Sequence, residues 1–142
     1  MKLLIVTPYL PYPLQAGGHT RIFHLMKHLG RMDVSILLVI LAAKPIDWAT
    51  VGELENHLPH VRVRWVPLIY RWPQKLLFYI LTLLGLGHLG NRPVKQQLEK
   101  LIEEENPDLL QVEFTQLGRF LPRCRIPAIL VYIEFRFRVL ER

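Results

Sequence analysis

The segment KLLIVTPYLPYPLQAGGHTRIFHLMKHL, residues 2–29, decides how the fold begins. Leu3 to Thr7 is a short apolar run suited to a buried strand. Pro8, Pro11 and Pro13 then stiffen a loop, and the pair Gly17-Gly18 lets backbone come close to a neighbour. Ile22, Leu25, Met26 and Leu29 follow at helical spacing, so a helix is expected over His19 to Arg31. The connection, residues 8–18, is longer than the roughly two to six residues usual between a strand and a helix, which favours binding over a plain bend. Gly17 and Gly18 would place backbone N–H groups at a helix N-terminus, where the dipole suits a phosphate, and Arg21 in the first turn would add its charge.

The rest of the chain alternates in the same way. Asp33 to Leu41 reads as a strand buried on both faces, and Ile46 to Leu58 as a helix with Pro45 just before it. Val61 to Pro67 alternates strictly, as a half-exposed strand does. Pro93 to Asn106 reads as a helix with Leu98, Leu101 and Ile102 as its stripe, and Glu103 to Glu105 as its solvated end. Leu109 to Glu113 and Ala128 to Ile133 read as strands. Strands separated by helices imply an α/β fold, a parallel sheet covered on both faces.

Arg71 to Leu89 breaks this rhythm. Its apolar core, Leu76 to Leu84, is far shorter than the roughly 20 residues of a membrane span. Two readings remain: a hydrophobic helix on the sheet, or a helix dipping into a membrane interface beside Arg71, Trp72 and Lys75. The run GLGHLG, Gly85 to Gly90, matches the dinucleotide fingerprint by letter. Asn91-Arg92-Pro93 separates it from the next helix, whereas in a working fingerprint the helix begins within the glycine run. His24 and His28 are four apart but lie opposite the apolar stripe and lack an H-E-x-x-H pattern, so solvated histidines are expected and no metal site.

Composition bounds the function classes. The 142 residues suit one domain, and a 51% hydrophobic content excludes a disordered chain. The single cysteine, Cys124, allows no internal disulfide and points to a reducing, cytoplasmic compartment. The opening Met1 to Val6 starts like a signal peptide, but the prolines end its apolar run too early. A formal charge of +6 favours an anionic partner. The basic residues are scattered rather than interleaved with aromatics, so nucleic acid is not expected.

The stretch PDLLQVEFTQLGRFLP, residues 107–122, adds a second candidate site. Glu113, Thr115 and Gln116 follow an apolar strand at its carboxyl end, the edge at which open parallel sheets hold ligands. With strand order 3-2-1-4-5 they would neighbour the loop after Thr7. The alternative leaves Glu113 merely exposed and Thr115 as a helix cap.

Together, LLIVTPYLPYPLQAGGHTRIFHLMKHL and PDLLQVEFTQLGRFLP resemble the N-terminal half of a GT-B-fold glycosyltransferase, close to the retaining group 1 enzymes that build bacterial polysaccharides and glycolipids. The resemblance runs from Lys2 to about Leu121. It implies a Rossmann-like domain over residues 1–142 that receives the acceptor, with a separate C-terminal domain holding the nucleotide-sugar donor. It implies transfer of a sugar from a nucleoside diphosphate to a saccharide or lipid-linked hydroxyl, without metal or cofactor, in the cytoplasm or at the inner face of the membrane. Gly17 and Gly18 match the glycine loop that approaches the donor phosphates, with Arg21 as helper. Glu113 and Gln116, with Thr115, match a strand-end group on the acceptor cleft. No catalytic residue is assigned. The sequence ends at Arg142 without a donor domain, and Ile129 to Arg142 has no histidine where the family often has one. The expectation is a domain inactive alone. The rival expectation is a stand-alone dinucleotide or phosphate binder using Gly85 to Gly90.

Overall fold

The structure, a computed structural model, describes residues 1–68, 92–123 and 125–131. Five parallel strands carry the fold: β1 (Lys2–Thr7), β2 (Ser35–Ala42), β3 (Val61–Pro67), β4 (Leu109–Glu113) and β5 (Ala128–Val131). Their order is β3-β2-β1-β4-β5, the doubly wound arrangement expected from the sequence. Three described helices are α1 (Gly17–Gly30), α2 (Trp48–His57) and α3 (Arg92–Glu105), with a 3-10 helix over Thr115–Phe120.

Alternation explains the two layers. In β2, Ile36, Leu38 and Ile40 pack with Ile22, Phe23 and Met26 of α1 and with Val51 and Leu54 of α2. Leu37, Val39 and Leu41 point the other way, against Val94, Leu98 and Ile102 of α3. A central strand covered on both sides has no room for polar side chains, and β2 carries none after Ser35. Truncating one of these, Leu38→Ala for example, costs about 2–5 kcal/mol. At the sheet edge, β3 exposes Arg62 and Arg64, charges that discourage pairing with another strand.

Some boundaries differ from the sequence reading, for local reasons. Asp33 is not in β2; it sits at φ 56 in the turn after α1, where its N–H bonds the Gly30 carbonyl at 3.3 Å. Helix α2 starts at Trp48 because Asp47 caps it. Its carboxylate accepts the Ala49 N–H at 3.1 Å and the Thr50 hydroxyl at 2.6 Å. Glu105 is not a solvated helix end: it is ion-paired with Lys2, with Arg62 at 3.5 Å, and ties α3 to β1 and β3. His60, before β3, donates from Nε2 to the Met26 carbonyl at 2.8 Å, and its ring lies against Gly30, where a Cβ would overlap it.

The apolar stretch Leu76–Leu84, the Gly85–Gly90 run, Cys124 and the end of the expected last strand beyond Val131 lie outside the described residues. Among the described residues, no helix is long and apolar enough to cross a membrane.

Candidate functional site at the β1 and β4 strand ends

In this strand order the chain winds outward from β1 in one direction and resumes at β4 in the other. β1 and β4 pair directly, from Leu3 with Leu109 to Val6 with Val112. Their carboxyl ends therefore flank the switch point, the crevice where doubly wound sheets take ligands.

From the β1 side come Thr7 and the loop 8–16. Thr7 is buried, and its hydroxyl donates to the Tyr9 carbonyl at 3.1 Å, turning the chain sharply off the strand. The loop includes a cis Tyr12–Pro13 peptide, and its Pro13 carbonyl accepts from His19 Nδ1 at 3.2 Å. The Tyr9 ring packs on His19 at a centroid distance of 4.6 Å and edge-on to Phe114 at 5.6 Å. A Cβ on Gly18 would overlap the Tyr9 hydroxyl, so Gly18 is the residue that admits this ring. Gly17 faces open space.

Helix α1 opens in this crevice without a side-chain cap and with no acidic residue in its first turn. Its leading N–H groups therefore keep their partial positive charge, which favours an anion.

From the β4 side comes Glu113, whose side chain is 0% exposed. Its Oε2 is ion-paired with Arg21 Nη2 of α1, and its Oε1 accepts from Gln111 Nε2 at 2.6 Å. A carboxylate so placed costs several kcal/mol in desolvation unless partnered, and these two donors are its compensation. Arg21 is 39% exposed, and its buried Nε has no hydrogen-bond partner. Burial pushes the Tyr9 phenol above its ordinary value; Arg21 offsets this in part and Glu113 adds to it, so the phenol stays protonated.

Phe114, the next residue, adopts φ 74 and ψ 126. Such backbone costs on the order of 1–3 kcal/mol for a residue other than glycine and tends to persist where function needs the geometry. The turn delivers Thr115, half-buried, and Gln116, exposed, to the rim beside the crevice.

The sequence-derived residues thus meet on one edge: Gly17, Gly18 and Arg21 from α1, and Glu113, Thr115 and Gln116 after β4. Glu113 is neither exposed nor open to a ligand; its two carboxylate oxygens are taken up by Arg21 and Gln111. Sequence reasoning missed Tyr9, Gln111 and Phe114. Gln111 carried a weak signal, a polar residue two places before Glu113 on an otherwise apolar strand. Among the described residues no three His, Cys, Asp or Glu side chains gather as metal ligands do.

The chain is a Rossmann-like α/β domain. A solved structure with a similar fold is the C-terminal domain of a hydrogenase from Pyrococcus furiosus, at TM-score 0.54 and 15% identity, covering 92% of this chain and 90% of that one. At that identity the likeness speaks for the Rossmann-like fold alone. No protein-family model matches the sequence, and no curated protein does.

Proposed function

We propose that this Rossmann-like domain is the acceptor-side half of a GT-B-type retaining glycosyltransferase. It would help move a sugar from a nucleoside diphosphate to a hydroxyl of a saccharide or lipid-linked acceptor. The observation that carries the reading is the Arg21–Glu113 bridge between α1 and the end of β4, beside an uncapped helix N-terminus.

The chemistry follows from what the leaving group needs. As the sugar departs, charge develops on the diphosphate, and fixed dipoles or cations aimed at it lower the barrier. The amides of Gly17 and Gly18 supply such dipoles. Arg21 is held by Glu113 with part of its side chain open to solvent, so it reaches a diphosphate as half of a charge-balanced pair rather than as a bare cation. Glu113 is then a positioning residue. Thr115 and Gln116, on the rim, would meet the acceptor hydroxyls. A second domain would hold most of the nucleotide sugar, and this chain alone would show no turnover. A lipid-linked acceptor would fit a membrane-facing role for the Leu76–Leu84 stretch.

Calorimetry with uridine diphosphate tests the reading. Binding is expected that weakens about tenfold in Gly17→Val, an open position where a side chain costs the fold little, because the added side chain holds the diphosphate off the helix amides and lengthens a charge-assisted hydrogen bond. Unchanged affinity in that variant, or measurable sugar transfer by the isolated chain, would contradict it.

A further inference from the structure

On the sheet face opposite α1 and α2, helix α3 with Leu121, Pro122, Arg123 and Arg125 encloses a groove separate from the strand-end crevice. Two cavities of about 290 and 400 Å³ overlap there, sharing Glu99, Pro122 and Arg123. Ile102 and Pro122 give the groove an apolar floor. Arg92, Lys95, Arg123 and Arg125 line it, and none of the four makes an ion pair or a hydrogen bond in the described structure. Glu99 and Glu103 line the same space and are equally unpaired.

This arrangement has a direction. Arg92 and Lys95 lie toward the start of α3, and Glu99 and Glu103 follow one and two turns later. Lys95 to Glu103 spans about 12 Å at the helical rise of ~1.5 Å per residue. Arg92 and Lys95 at one end, with Arg123 beside them, raise the local potential and collect anions, while Arg125 lies with Glu99 and Glu103. Carboxylates that point into the same groove accept hydrogen bonds from hydroxyls but repel a second anion.

We propose that the groove binds a phosphate monoester whose body carries hydroxyl groups. The phosphate lies against Lys95 and Arg123, and the hydroxyls donate to Glu99 and Glu103. The same chemistry occurs in a free sugar phosphate and in a phosphorylated lipid headgroup. The site is independent of the strand-end crevice and does not rest on the function proposed for it.

The test uses the full chain with two probes: glucose 6-phosphate by calorimetry, and phosphatidylcholine vesicles containing phosphatidylinositol 4-phosphate by flotation. Binding to at least one probe is expected, and the probe retained identifies the source as free ester or headgroup. The double variant Lys95→Ala/Arg123→Ala, one half-buried and one exposed position, should weaken it about fivefold or more, the scale of partly solvent-exposed ion pairing. Glu99→Gln should weaken glucose 6-phosphate while leaving inorganic phosphate equal or tighter, a split that a merely structural role would not produce. Far-UV circular dichroism checks that each variant is folded. A control with the same charge loss at the end of α1, Lys27→Ala/Arg31→Ala, should bind as the unaltered chain does. No binding of either probe, an unaffected Lys95/Arg123 variant, or an equal loss in the control would overturn the proposal.

Discussion

Arg21 of α1 and Glu113 of β4 are 92 positions apart in sequence and form an ion pair in which the carboxylate is wholly buried and the guanidinium is not. The asymmetry sets what each substitution does. Arg21→Met leaves Glu113 buried with Gln111 alone, which should cost about 2 kcal/mol in urea unfolding; a wholly buried pair would cost more, but the guanidinium keeps access to water. Glu113→Gln should cost less than Arg21→Met, since it leaves no buried charge behind. The double variant should recover part of the Arg21→Met loss. Additive losses would mean that the pair is not coupled.

The glycine pair should divide by role. Gly17→Ala meets nothing and should leave stability unchanged or raise it slightly, by up to about 1 kcal/mol from helix propensity. Gly18→Ala drives a methyl into the Tyr9 hydroxyl, so it should displace the ring from His19 and Phe114. Tyr9→Phe removes the obstructing oxygen and should restore stability in the Gly18→Ala background. Thermal melts of the three variants check this; equal effects at Gly17 and Gly18 would refute the packing argument.

Much of the fold was legible in the sequence because buried strands announce themselves. The run SILLVILA must be covered on both faces, and only a doubly wound parallel sheet does that economically. The polar residues after LLQV were legible as a strand end for the same reason. What was not legible is pairing between distant residues. Nothing in the letters around Glu113 says that Arg21 meets it, so both sequence readings, a ligand-facing carboxylate and a merely exposed one, missed its burial. Tyr9 was missed because its contact with Gly18 depends on how the loop after Thr7 folds back. Glu105 was misread because three successive glutamates at a helix end suggest solvent, whereas its partner Lys2 is 103 positions away.

Acid should weaken the fold through the Lys2–Glu105 link. The Lys2 hydrogen bond holds the Glu105 carboxyl below its ordinary 4.5; partial desolvation opposes this, and the charges of Lys2, Arg62 and Arg64 assist it. A carboxylate depressed in the folded state adds stability above its unfolded value and loses it as pH falls toward the folded one. Stability measured by urea unfolding should therefore drop as pH falls below about 4.5, and Glu105→Gln should flatten that drop. An acid limb of the same slope in Glu105→Gln would show that other carboxylates carry it.

The claim that the strand-end crevice receives a nucleoside diphosphate is tested most directly by amide NMR of the chain titrated with uridine diphosphate. The account expects the largest shifts at the Gly17, Gly18 and His19 amides and at the Arg21 side chain, with Phe114 and Thr115 following, and smaller shifts at low affinity in Arg21→Met. Shifts confined to other parts of the chain, or none at Gly17 and Gly18 at saturating nucleotide, would contradict it.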